Sequence, residues 1–488
     1  MTLESLNYAI ALPEIFLVTM ACLVLVVDVY LPADKRNFTY VLSQLSLIVT
    51  LALVLSNPAE SRVLAFNDLF VQDAMADVLK LFILIISFGV FVYSREYLLA
   101  RNIFKGEFYV LGLFSIVGMM LMVSANNLLM LYLGLELLSL CLYALVAFSD
   151  SQQKKRGDGN ASEAAMKYFI LGAIASGMLL YGMSILYGLS GSLMLSDIAT
   201  AVAQSSTEGN AQNIGMVFAL VFIVVALAFK LGAVPFHMWV PDVYHGSPTA
   251  VTSLIGTAPK LAGFAMIMRL MVEALGGLQA DWQQMLIVLA VLSLAVGNVL
   301  AIAQTNLKRM LAYSTISHVG FILLGILAGT ADGYSSAMFY TISYAIMALG
   351  GFGIIMLLAR EGFEADNISD LKGLNQRSPW YALMMMILML SMAGVPPTVG
   401  FWAKLAVLSA VVDVDLVWMA IIAVFFSIIG IFYYLRIIKV MYFDEAEDTQ
   451  PLVCGRDMQI MLSTNSLAIL ALGFYPAALM SLCVAVFS

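Results

Sequence analysis

Charge is what this chain has least of. Asp, Glu, Lys and Arg make up 11% of 488 residues, against 62% hydrophobic, and the mean hydropathy is +0.97. That balance excludes a soluble domain and indicates a polytopic all-α membrane protein. Cysteine is also rare. Cys22, Cys141, Cys454 and Cys483 are scattered, without the spacing of a zinc site or an iron–sulfur cluster, so no metal is expected. No G-x-G-x-x-G turn follows a strand, and no Walker loop is present. The chain alone therefore has no means to oxidise a nicotinamide, hydrolyse a nucleotide or pass electrons, and no cofactor is expected on it. The absence of a basic stripe excludes nucleic acid as a partner. The start, MTLESLNYAIALPEIFLVTM, lacks a basic n-region and a small-residue cleavage site, and reads as a first membrane helix.

What is present in quantity is apolar sequence in span-length runs. A span needs about 20 apolar residues. On that measure there are fourteen: 6–27, 39–56, 77–97, 107–123, 126–148, 162–188, 212–238, 247–272, 284–303, 307–328, 335–359, 379–411, 416–442 and 461–486. Loops after odd-numbered spans, Lys154, Lys155 and Arg156 among them, hold sixteen of the 23 Lys and Arg residues, whereas loops after even-numbered spans hold only Arg62 and Arg269. The positive-inside rule then puts both termini on the outer side. Spans 7 and 12 carry breakers: Gly232 and Pro235 follow Lys230, and Pro396 and Pro397 precede Lys404. Proline removes a backbone donor, and in lipid the freed carbonyls need other partners. Matched breaks in oppositely directed spans predict an inverted repeat. The whole chain reads as one integral membrane domain: three leading helices over 1–106, repeats of five helices over 107–272 and 284–442, and a last helix over 461–486.

Within this apolar background stand Glu136, Lys167, Lys230, Lys260 and Lys404. Each ionisable residue costs roughly 2.5–3.5 kcal/mol at a span centre, so by default such groups mark ion or proton movement. At about 1.5 Å per residue, Glu136 lies roughly 15 Å into its span, with Lys260 and His318 at similar depth. Lys167 is nearer the cytoplasm. Burial lowers a lysine's proton affinity and a nearby carboxylate raises it, so buried lysines with Glu136 as the only deep acid make a sequential proton relay. The competing reading is a set of static pairs, or lysines snorkelling to an interface. His318, in YSTISHVGFILL, either bridges Lys260 and Lys404 or is a hydrogen-bonded core histidine. PFHMWVPDVYHGSPT, with His237, Trp239, Asp242 and His245, is either a proton entrance or a rigid turn. Glu163, four residues before Lys167, is either a helix pair or part of an entry.

The stretches LYLGLELLSLCLYALVAF, KYFILGAIASGMLLYGMSILYG, FKLGAVPFHMWVPDVYHGSPT, QTNLKRMLAYSTISHVGF and SMAGVPPTVGFWAKL together resemble the antiporter-like membrane subunits of respiratory complex I, and among them the N-type branch. The resemblance covers essentially the whole chain. It implies fourteen helices, two inverted five-helix repeats (4–8 and 9–13), broken helices 7 and 12 and a central hydrophilic axis. It makes Glu136 and Lys230 the pair that gates proton uptake, Lys260 the central lysine, Lys404 the outward lysine and Lys167 an additional helix 6 lysine. The M-type branch usually has glutamate where Lys404 stands, and the L-type carries a long lateral helix after its last span. The implied role is that of a non-redox, proton-translocating subunit of NADH:quinone oxidoreductase in a bacterial inner membrane. It would sit beside M-, K- and J-type subunits and membrane lipids, with FMN, iron–sulfur clusters and quinone held by partners in or near the peripheral redox arm. The alternatives are a multisubunit cation/proton antiporter and a ferredoxin- or hydrogen-linked relative. A lysine-rich axis repels sodium and handles protons, which favours the first.

Overall fold

The structure is a computed structural model and describes residues 6–59, 61–148, 160–208, 211–360, 363–446, 452 and 454–488. Lys154, Lys155 and Arg156 lie outside the described residues. Among the described residues, twelve helical segments are long and apolar enough to cross a membrane. The first six spans contain α1 (Leu12–Tyr30), α2 (Asn37–Ser56), α3 (Ala74–Ala100), α4 (Gly106–Val123), α5 (Leu128–Val146) and α6 (Asn160–Ser190). An amphipathic helix, α7 (Leu195–Glu208), then lies outside the set of spans. The seventh span is α8 (Ala211–Leu231), after which a short helix, α9 (Trp239–Gly246), makes the turn.

The eighth span is segmented: α10 (Thr249–Gly256), α11 (Ala258–Ile267) and a π-helical end at Met268–Ala274. Regular helices follow, α12 (Gln279–Ile302), α13 (Leu307–Leu327) and α14 (Ala331–Leu358). The expected span over 379–411 is two 15-residue helices, α15 (Pro379–Ala393) and α16 (Val399–Asp413), each too short to cross alone. Then come α17 (Val417–Phe443), α18 (Arg456–Phe474) and α19 (Ala477–Phe487), the last two bent by 75° about Tyr475 and Pro476. The expectation from sequence was a single last helix over 461–486. Pro476 has no N–H to continue the ladder, and the chain turns there.

Two elements carry no span signal and were not anticipated, α7 and a hairpin, Val63–Ala65 antiparallel to Phe70–Gln72 with Val63 opposite Gln72. The segmented eighth span is wholly buried, as is α13, and α14 is nearly so; α6 and α17 keep most of their surface outside. The centre of the molecule is thus the helix carrying Lys260 and the helix carrying His318.

One placement differs from the reading by charge. Arg269 is not in a loop: it is fully buried in the π turn, where its guanidinium donates to both carboxylate oxygens of Asp73 at 2.7 and 2.9 Å and also pairs with Glu273. Lys80, in the second turn of α3, is buried against Glu14, in the first turn of α1, at 2.6 Å. Glu14 is more buried than Glu136. A charge in a low-dielectric interior is tolerated when it is paired, and sequence depth alone does not show the partner.

Candidate functional site

The two breaks end their helices in the same way. At the end of α8, Gly232 takes φ +80°, and Ala233 N–H donates back to Ala228 at 2.8 Å. At the end of α15, Gly394 takes φ +84°, and Val395 N–H donates back to Leu390 at 2.9 Å. Glycine adopts this left-handed conformation without a Cβ penalty, and the long back-bond closes the helix end. The last carbonyls remain free of helical partners. In each case a lysine amine takes the one just before the glycine. Lys260 Nζ donates to Leu231 O at 2.7 Å, and Lys404 Nζ donates to Ala393 O at 2.8 Å. Each amine thus sits at the negative end of a half-helix dipole.

Further hydroxyls and rings surround these amines. Lys404 also donates to Ser427 at 2.8 Å and lies 5.3 Å from the centre of the Phe321 ring. Lys260 is 2% exposed, and its amine is 5.8 Å from the Trp239 ring. Lys230, in the last turn of α8, donates to Ser139 at 3.1 Å. Glu136 accepts from Ser176. No direct ion pair joins Glu136 to Lys230 among the described residues; a serine stands at each. A cavity of about 20 Å³ lies beside Lys230, lined by Ser139, Ser176, Tyr143 and Trp239. That is room for roughly one water.

His318 is 3% exposed and bonded through both ring nitrogens, Nδ1 to Tyr340 OH at 2.7 Å and Nε2 to Tyr434 OH at 3.1 Å. Tyr434 OH in turn meets Ser314 Oγ at 2.5 Å. The histidine is a core residue in its packing and a link in a hydroxyl chain in its chemistry. Ser139, Ser427, Tyr340 and Tyr434 were not singled out from sequence. Ser139 had a signal: it is three residues after Glu136, hence on a neighbouring position of the same helix face.

Lys167 is not in this buried set. Its side chain is 45% exposed and pairs with Glu163 and Asp242, both at 2.9 Å. Asp242 also pairs with Arg309 at 2.8 Å. Burial alone would raise the Asp242 carboxyl, but hydrogen bonds and charge from Lys167 and Arg309 outweigh it and hold it below the usual range. Beside it, Lys308 is buried and donates to Ser247 O at 3.0 Å. Glu364 lies 3.6 Å from Lys308 and 3.2 Å from Arg101, and it accepts Thr249 Oγ1 and Tyr97 OH at 2.6 Å each. Desolvation opposes the Glu364 charge, yet Lys308 and Arg101 bring its carboxyl below the ordinary value. Lys308 and Glu364 escaped sequence reasoning because both read as rim charges. His245 is half-buried here, and burial followed by the Lys308 charge lowers its proton affinity.

Residues 125–430 match the family model described as NADH:quinone oxidoreductase/Mrp antiporter, TM. NADH-quinone oxidoreductase subunit N of Thioalkalivibrio sulfidiphilus is 60% identical over 482 residues, which is 99% of this chain and 98% of the relative. Its counterpart from Thiobacillus denitrificans is 55% identical over 484 residues, again 99% and 98%. Among solved structures, a chain of respiratory complex I from Thermus thermophilus with bound aureothin matches with a TM-score of 0.81 and 29% identity, covering 96% of this chain and 99% of that one. A chain of the Mrp complex from Dietzia sp. shares the fold, with a TM-score of 0.81 at 20% identity over 100% of this chain and 97% of that one.

Proposed function

This chain belongs to the NADH:quinone oxidoreductase/Mrp antiporter membrane family, and from that premise we propose that its buried amines form the proton path of a complex I subunit of the N type. It is a multi-pass, antiporter-like, proton-translocating subunit of NADH:quinone oxidoreductase. In our reading the chain has no redox step of its own. Its neighbours are M-, K- and J-type subunits, and flavin, iron–sulfur clusters and quinone belong to partners. It resides in a bacterial inner membrane with both termini outside, and protons move from cytoplasm to outside.

The observation that supports the path most is the pair of carbonyl-held amines, Lys260 at Leu231 and Lys404 at Ala393. Glu136 and Lys230 begin the path, with Ser176 and Ser139 at hand to orient them. A water in the small cavity beside Lys230 would complete the step between carboxylate and amine. Lys260 follows, held at Leu231 O. His318 with its two tyrosines then links the path to Lys404. Lys167 acts at the cytoplasmic rim rather than in the buried path. The matching ends of α8 and α15 also support an inverted repeat with helices 4–8 and 9–13 as its halves. The Mrp-type alternative rests on the shared family model and on a fold likeness at 20% identity, whereas the 60% and 55% identical relatives are subunits N.

The test is proton pumping by the whole complex in inverted membrane vesicles. Lys230→Ala or Glu136→Ala should reduce pumping and coupled NADH oxidation while the complex still assembles. Lys439, exposed at the rim and paired with Asp444, should tolerate alanine. Normal pumping in both of the first two variants would sink the assignment.

A further inference from the structure

Trp239 touches both inner lysine sites at once. Its indole N–H donates to Phe229 O at 2.9 Å, the carbonyl of the residue before Lys230. The ring lines the cavity beside Lys230, and its centre lies 5.8 Å from the Lys260 amine. It is 2% exposed and stacks on Tyr168 with centroids 4.6 Å apart and planes within 12°. The cavity holds roughly one water on the Lys230 side. The indole N–H is already engaged, so the ring cannot hand a proton across. It is a wall.

The wall is mounted on α9, only eight residues long, and Asp242 stands three residues further along it. Lys167 and Tyr168 are consecutive on α6, and one pairs with Asp242 while the other stacks on Trp239. Arg309 of α13 holds Asp242 from a second side. A small rotation of α9 would therefore move the ring, and the ion pairs resist that rotation.

We propose that Trp239 is the divider between the Lys230 pocket and Lys260, and that Asp242 is a positioning residue that holds the indole in place from the cytoplasmic rim. The proposal rests on the relay reading of Lys230 and Lys260. With the ring in place the two amines keep separate protons. With it displaced, water joins them.

The experiment uses the intact complex in inverted membrane vesicles. It measures protons moved per NADH oxidised and the coupled rate from about pH 6 to 9. Trp239→Leu should lower the proton yield and the coupled rate by about tenfold, the scale of a misplaced relay element, and should flatten the pH profile. Trp239→Phe, which keeps a ring but loses the bond to Phe229 O, should show the same changes in weaker form. It decides the matter if the leucine variant does not assemble. Asp242→Asn should shift the profile in the same direction, Asp242→Glu should restore it, and the Trp239→Leu/Asp242→Asn double variant should be no worse than Trp239→Leu. Wild-type yield and profile in both tryptophan variants, where Lys230→Ala has lost pumping, overturn the divider and leave the relay standing. Failure of Asp242→Glu to restore the profile, or additive losses in the double variant, overturn the positioning role. Normal pumping by Lys230→Ala overturns both readings.

Discussion

Gly394 shows how much rests on a single missing methyl. Its φ of +84° is left-handed, and a Cβ there would lie 2.8 Å from Lys404 Cδ and 3.2 Å from its Nζ. Gly394→Ala should therefore displace the amine from Ala393 O as well as strain the turn by about 1–2 kcal/mol. The expected outcome is a loss of pumping larger than the loss of assembled complex, read by vesicle acidification against subunit content. The rim carboxylates behave differently. Asp242 and Glu364 have folded proton affinities below their unfolded ones. Their stabilisation is fully present above the unfolded value, near pH 4, and is lost as pH falls through the folded one. Thermal inactivation of the solubilised complex should show no loss attributable to these pairs between about pH 6 and 8. Replacing Glu364 with Gln should lower the midpoint across that whole window.

At the scale of elements, the buried Glu14–Lys80 pair ties α1 to α3. Removing one partner leaves a buried charge, a loss of roughly 3–5 kcal/mol, whereas removing both can be near neutral. Lys80→Met alone should thus reduce the yield of assembled complex, and Glu14→Leu/Lys80→Met should recover most of it, as judged by immunoblot of membranes. Element breaks were the most legible feature of the sequence, because Gly232, Pro235, Pro396 and Pro397 announce themselves. What lies across from a residue was not legible. The serines at Glu136 and Lys230, the tyrosines on His318 and the burial of Arg269, Lys80 and Lys308 all depend on which helices pack together. That information is not local. The hairpin and α7 were missed because short or amphipathic elements leave no span-length apolar run.

At the scale of the whole molecule, the buried centre and the bare flanks divide the labour. The eighth span, α13 and α14 are enclosed by the chain itself, while α6 and α17 face outward with large apolar side chains such as Ile174, Ile421 and Ile428. Those flanks meet lipid or neighbouring membrane subunits. Tagging the chain in its native membrane and solubilising gently should co-purify flavin- and iron–sulfur-bearing chains, identified by mass spectrometry. Recovery with small membrane subunits alone would instead point to a gradient-driven antiporter.

The seats of Lys260 and Lys404 carry one more implication. A helix-end carbonyl with a serine hydroxyl beside it, as at Ala393 and Ser427, is an oxygen cage of the sort that grips alkali ions in broken-helix transporters. Here the cage is filled by a cation on a leash. The ammonium cannot diffuse away, so in the proposed relay only its proton would travel, and each seat would reset without anything having to be recaptured from solution.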